Sequence, residues 1–281
     1  MQTITFRHAS HSIPSHIDEL SHAQYIAYLR LFLMNLPEDL TRRRLFPILL
    51  SLPIADYHDY RQDIITELDT WQSALDPFFV AGHLTLNTTC QMLREYRGWK
   101  GPGDMLDGIN FGQFIAALIM YEEFIRLTAH GGSADGIPTA ANDCLLELTR
   151  QLYSAPTAPT VLGGSAAGSP AGSSPADSPR PSDLLILHAT HFFVSCYQYI
   201  AATPVHINGH DIDLSIIFTA SGGSPARHRT PDDHTGWQGI AFEIAEQGLF
   251  GTYNDLMRQP LFDVLLYLYK RRFEQLHKKR K

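Results

Sequence analysis

Residues 154–182 constrain this chain most, because almost every one of them is Ala, Pro, Gly, Ser or Thr. The stretch has no apolar periodicity and too little to bury to offset the entropy of ordering it, so it is expected to be a disordered linker or insertion. It divides the 281 residues into 1–153 and 183–281. Two pieces of that size could form one or two cores. The second piece is unevenly patterned, so the expectation is that it packs with 1–153 as one interrupted domain.

Outside the insertion the dominant period is helical. Tyr25, Tyr28, Leu29 and Phe32 share one helix face, and Ser21 supplies an N-cap for a helix running to Met34. Further helices are expected over 41–52, 57–75, 111–129, 142–153 and 184–202. Residues 4–6 alternate like a short strand. Residues 98–103, Gly-Trp-Lys-Gly-Pro-Gly, read as a rigid, kinked loop. Asn208-Gly209 lies between alternating runs, the strongest local signal for a β-hairpin. Residues 130–138 and 220–236 read as turn-rich loops. The fold class is therefore mainly α, an irregular helical bundle with a small β-hairpin and a long disordered insertion.

The C-terminal stretch reads as two amphipathic helices joined by a turn marked by Gly248 and Gly251, with Pro260 suited to the first turn of the last helix. Residues 261–269 carry large apolar groups on both faces, which implies either a central buried helix or one face kept for a partner. Trp237, Phe250, Tyr253, Phe262, Leu265 and Tyr269 are the candidate partner-binding residues.

Chemistry is harder to find. The 14 histidines raise the question of a metal, and His188 and His191 share a helix face, while His206 and His210 flank the hairpin turn. No His-Glu-x-x-His or Cys-x-x-Cys spacing accompanies them, and no metal or cofactor is expected. The Gly/Ser runs near Ser165 and Ser224 lie in stretches expected to be disordered, where no nucleophile is held against a base. Gly101-Pro-Gly-Asp lacks the lysine and serine of a phosphate-binding loop. Glu122-Glu123 and Asp232-Asp233 are adjacent carboxylates that diverge. The reading is of a protein that is not an enzyme and has no catalytic residues.

The net charge of -7 divides into about +6 over residues 270–281 and -13 over the rest. Lys278, Lys279, Arg280 and Lys281 could contact phosphates, but cations at a helix C-terminus also complement its dipole, and the acidic body repels nucleic acid. Nucleic acid is therefore not the expected partner. Cys90, Cys144 and Cys196 have no motif spacing and read as reduced thiols. With no signal pattern at the N-terminus, and with 114–120 as the richest apolar run, the chain is expected to be cytoplasmic and to cross no membrane.

Several pieces together resemble a poorly characterised family of prophage proteins, similar to tail-assembly chaperones and other tail-morphogenesis factors. They are Ile13-Pro-Ser, Asp18-Glu-Leu-Ser and Gln24-Tyr25, similar to an IP-x-x-W-DELT-x-x-QY opening, with His16-Ile17 standing where the tryptophan lies. Asn110-Phe-Gly-Gln-Phe, Ile207-Asn-Gly-His-Asp-Ile-Asp-Leu-Ser, residues 237–251 and Pro260-Leu-Phe-Asp-Val-Leu complete the match. The resemblance implies a helical, cytoplasmic, non-catalytic protein that holds a phage structural partner, such as a tail or tape-measure protein, during assembly. The alternatives are a nucleic-acid-associated accessory protein of a mobile element using the basic tail, and an enzyme whose site forms only in three dimensions.

Overall fold

A computed structural model describes residues 1–52, 57–130, 138–156, 180–207, 209–218 and 236–278. Most of 154–182, much of the 130–138 and 220–236 loops, and Asn208, Lys279, Arg280 and Lys281 lie outside the described residues. Those described form eleven α-helices and four two-stranded antiparallel hairpins. The mainly helical expectation therefore holds.

The chain opens with β1 (Gln2–Phe6) and β2 (Ala9–Ile13), in a register pairing Phe6 with Ala9 and Gln2 with Ile13. Only the first strand was legible, because the turn is Arg7-His8, both at positive φ (49° and 64°), without the glycine that marks such turns. Ile4, Phe6 and Ile13 face inward. Phe6 meets the Trp71 ring edge-on at 5.5 Å, and Trp71 stacks flat on Phe46 at 3.9 Å.

α1 (His22–Leu33) starts at a full capping box, in which Ser21 accepts from the Gln24 amide and the Gln24 side chain accepts from the Ser21 amide. The Gln24 side-chain amide also donates to the carbonyls of Ile48 and Leu49, fastening α1 to the end of α2 (Glu38–Leu49). α2 begins earlier than its apolar pattern indicates, with Pro37 at its N-cap and Glu38 and Asp39 in the first turn. The long helix expected over 57–75 is broken. α3 (Tyr57–Glu67) passes through a 3-10 turn (Leu68–Trp71) to the short α4 (Gln72–Leu75), which places Trp71 over Phe46.

Two tiny hairpins follow. β3 (Phe79–Val80) pairs with β4 (His83–Leu84), and β5 (Glu95–Tyr96) with β6 (Trp99–Lys100). The expected 98–103 loop thus contains a strand, and Trp99 is buried beneath it.

α5 (Phe111–His130) packs along α6 (Thr139–Leu152), and α7 (Asp183–Ala202) packs on α6 and α1. The core accordingly includes residues from both sides of the 154–182 segment. α7 is long and apolar enough, by length and composition, to cross a membrane, which corrects the expectation that no run approaches that length. Its polar residues between Asp183 and Ala202 are uncharged, so they interrupt the pattern without lowering it far. In the fold its buried stripe is Leu185, His188, Ala189, Phe192, Phe193, Cys196 and Ile200.

β7 (Val205–Ile207) and β8 (His210–Ile212) make the expected hairpin, and α8 (Ser215–Phe218) packs on α7 and on the last helix. The end of the chain has three helices where two were expected: α9 (Gly236–Glu246), α10 (Tyr253–Met257) and α11 (Leu261–Lys278). Thr252 and Asp255 form a capping box that starts the short α10 just after the glycine-marked turn. The starts of α5 and α11 are clasped together, Phe111 N–H donating to the Gln259 carbonyl and Leu261 N–H to that of Ile109. Gly112 permits this approach, since a Cβ there would stand 2.9 Å from the Met257 carbonyl oxygen.

Candidate functional site: a groove at the end of the last helix

α11 changes character along its length. Leu261, Val264 and Leu265 are fully buried, whereas Phe273 and Leu276 are 45% and 40% exposed. Tyr269, Phe273 and His277 recur every four residues and stack in sequence, with ring centroids 5.9 Å and then 4.0 Å apart. With Leu276, and with Asp213 and Ile216 from the β8–α8 region, they line an open groove of about 300 Å³. His277 Nδ1 donates to the Phe273 carbonyl at 2.8 Å, which fixes its ring against the aromatic ladder.

The same helix end carries Lys270, Arg271 and Arg272, against a single acidic residue, Glu274. Arg272 leans on Gln275, while its Nε is buried with no partner among the described residues. Lys278 closes the helix; Lys279, Arg280 and Lys281 are beyond the described residues.

Of the six partner-binding candidates, only Tyr269 lines the groove. Trp237 sits edge-on to Phe114 at 6.2 Å and leans on Phe218 at 5.4 Å, so it fastens α9 to the body. Phe250 meets Tyr267 edge-on, and Tyr253 stacks on Phe242, itself 52% exposed. Phe262 is half-buried against the core, and Leu265 is wholly inside it, out of a partner's reach. Phe273, Leu276, His277, Asp213 and Ile216 were missed. The every-fourth-residue spacing of Tyr269, Phe273 and His277 is the signal that could have found the helix side of the groove.

Three of the four histidines considered as metal ligands make other contacts. His188 is buried, with Nδ1 2.8 Å from the Tyr25 hydroxyl and Nε2 against Gln91 Oε1. The Leu93 amide donates to the same Gln91 oxygen, which fixes that atom as an acceptor. His188 Nε2 therefore carries the proton and Nδ1 accepts from Tyr25. Tyr153 places its hydroxyl 3.1 Å from Gln91 Oε1 and 3.0 Å from the Leu93 carbonyl oxygen. Burial, reinforced by neighbouring His191, holds His188 down to about 3, so it is neutral near pH 7. Burial likewise raises the Tyr25, Tyr28 and Tyr153 hydroxyls above the ordinary tyrosine range.

His191 stands edge-on to Phe32, and its own value is lowered by burial. His206 pairs with Asp211 at 2.9 Å on the exposed hairpin. Among the described residues, no group of three or more His, Cys, Asp or Glu is placed to hold a metal ion. Burial raises all three cysteine thiols above their ordinary range, the opposite of what an activated nucleophile needs. Comparison with protein families, with curated proteins and with solved structures gives no match for this chain.

Proposed function

We propose that this is a non-catalytic, cytoplasmic binding protein that holds an apolar segment of a partner polypeptide in the groove between α11 and the β8–α8 region. The observation that supports this reading is the half-exposed Phe273 and Leu276 on a helix whose first half is firmly packed. Covering such groups gains about 25 cal/mol per Å² of apolar surface. Lys270, exposed and next to Tyr269 on α11, favours a partner segment with acidic flanks.

The narrower reading is a phage or prophage assembly factor, similar to tail-assembly chaperones, whose partner is a tail or tape-measure protein. It rests on the sequence resemblance. Many of the residues that carry the resemblance shape the fold: Ile13 and Tyr25 are buried, Ser21 and Gln24 cap α1, and Asn110 and Gln113 cap α5 reciprocally.

The test is affinity capture of the tagged protein from its native host, beside a Phe273→Ser/Leu276→Ser variant. Recovery of a phage structural protein at near-stoichiometric yield by the wild type, and its loss in the variant, is the expected result. Equal recovery by both would sink the groove as the site. Recovery of salt-sensitive nucleic acid would favour the alternative reading, through Lys270, Arg271, Arg272 and Lys278.

A further inference from the structure

A second groove lies between α2 and α3, about 340 Å³ in volume and lined by Leu40, Arg43, Arg44, His58, Arg61 and Ile65. Three arginines and a histidine line it with no carboxylate, on a chain whose net charge is -7. Two of the neighbouring carboxylates are drawn elsewhere. Glu38 pairs with Arg42 at 2.8 Å and Asp63 with Arg7 at 2.5 Å. Arg43 has only a loose contact to Asp39 at 3.9 Å, and its Nε is buried without a partner among the described residues. Arg44 is exposed and, among the described residues, its side chain reaches the Met34 sulfur at 3.9 Å. Arg61 is exposed and makes no ion pair among the described residues.

Two aliphatic side chains, Leu40 (41% exposed) and Ile65 (36% exposed), stand in the same groove. A free inorganic anion would satisfy the guanidinium groups and gain nothing from Leu40 or Ile65. A peptide with carboxylates and interspersed aliphatic side chains would satisfy both, with guanidinium forks matching carboxylates in a bidentate manner. Among the described residues no Phe, Tyr or Trp ring lines the groove to stack a base, and the acidic body opposes a phosphate backbone. We infer that the α2–α3 groove is a second docking site, taking an acidic, leucine- or isoleucine-bearing peptide segment of a partner.

The test is fluorescence anisotropy of the full-length protein with a labelled peptide of alternating glutamate and leucine. Binding at low salt that weakens as salt rises is expected, with affinity falling about tenfold in Arg44→Glu and in Arg61→Glu. Arg30→Glu, the same charge change on the exposed face of α1, should stay within about twofold of wild type, and the series is repeated in the Phe273→Ser/Leu276→Ser background, where peptide taken by the α11 groove no longer contributes. Thermal melts of the variants establish that they are folded. Absence of binding by the wild type, equal affinity in Arg44→Glu and Arg61→Glu, or tighter binding of a single-stranded oligonucleotide would each overturn the inference. Because the Arg44→Glu and Arg61→Glu losses are read again in the α11 variant, failure here is separate from failure of the α11 groove.

Discussion

The Tyr25 hydroxyl donates to His188 Nδ1 at 2.8 Å, joining α1 to α7 across 163 positions of sequence. His188 passes the connection on through Nε2 to Gln91, whose side-chain oxygen also faces the Leu93 amide and the Tyr153 hydroxyl. Four segments of the chain thus meet on one buried, neutral polar cluster.

Tyr25→Phe leaves His188 Nδ1 buried and unpaired, a loss of about 1–3 kcal/mol. His188→Leu strands the Tyr25 hydroxyl, removes one of three donors to the Gln91 oxygen and replaces a buried ring, and should cost more, about 2–5 kcal/mol. Urea unfolding of the two single variants and the double variant measures the coupling. If the double variant lost the sum of the two single effects, the cluster would not act as a unit.

His188 also sets a pH dependence. Its folded value is lowered to about 3 from an ordinary 6.5, so between those values the unfolded chain binds a proton that the folded chain does not. Stability is fully present above about pH 6.5 and falls as the pH is lowered through that window toward 3. Glu19, held down to about 2 chiefly by its hydrogen bond to the N-terminal amine, acts in the same sense at lower pH. The cleanest comparison is therefore wild type against His188→Gln between about pH 6.5 and 5, where the wild type should lose roughly 1 kcal/mol more per pH unit. Parallel curves would assign the proton uptake elsewhere.

Gly101→Ala should be poorly tolerated, because its Cβ would lie 2.5 Å from Tyr153 Cε1. That ring is buried and tied through its hydroxyl to Leu93, so it has little freedom to withdraw. A cost of about 1–3 kcal/mol is expected. Gly108→Ala is the useful contrast, since nothing lies within 4 Å there and only its φ of +84° opposes a side chain. About 1–2 kcal/mol is the limit for that strain. Thermal melts would rank the two, and a milder effect at Gly101 would show that Tyr153 can move.

The thiols offer a direct check on the non-catalytic reading. Cys196 is fully buried, and burial also raises Cys90 and Cys144. Ellman's reagent should react slowly with the folded protein and label Cys196 last, becoming rapid in denaturant. A fast-reacting thiol in the native state would contradict the burial described here and reopen a nucleophilic role.

Much of the helical framework was readable because its signals are local. Ser21 with Gln24 marks the start of α1, and strongly apolar runs mark α5 and α7. Asn208-Gly209 announced its hairpin. The other three hairpins were missed because their turns use Arg7-His8, Ala81-Gly82 and Arg97-Gly98, whose positive φ values are imposed by the strands they join and not by an Asn-Gly or Asp-Gly signature. The break after Glu67 is likewise tertiary in origin, since it puts Trp71 onto Phe46. The groove at the end of α11 was illegible for a related reason. Tyr269, Phe273 and Leu276 stand among charged neighbours at the same helical spacing as the buried residues before them, and only the packing of α5 and α8 against α11 decides which remain uncovered.

The clasp between Asn110 and Pro260 also has a kinetic consequence. It closes a loop of about 150 residues, whose entropic cost must be met before the contacts that reward it can form. Helices with local signals, such as α1 and α5, can form early, but the pairing of α5 with α11 belongs to the slow end of refolding. Until it forms, Val264 and Leu265 have no α5 to pack against, and dilute solution is the condition in which the chain should refold most completely.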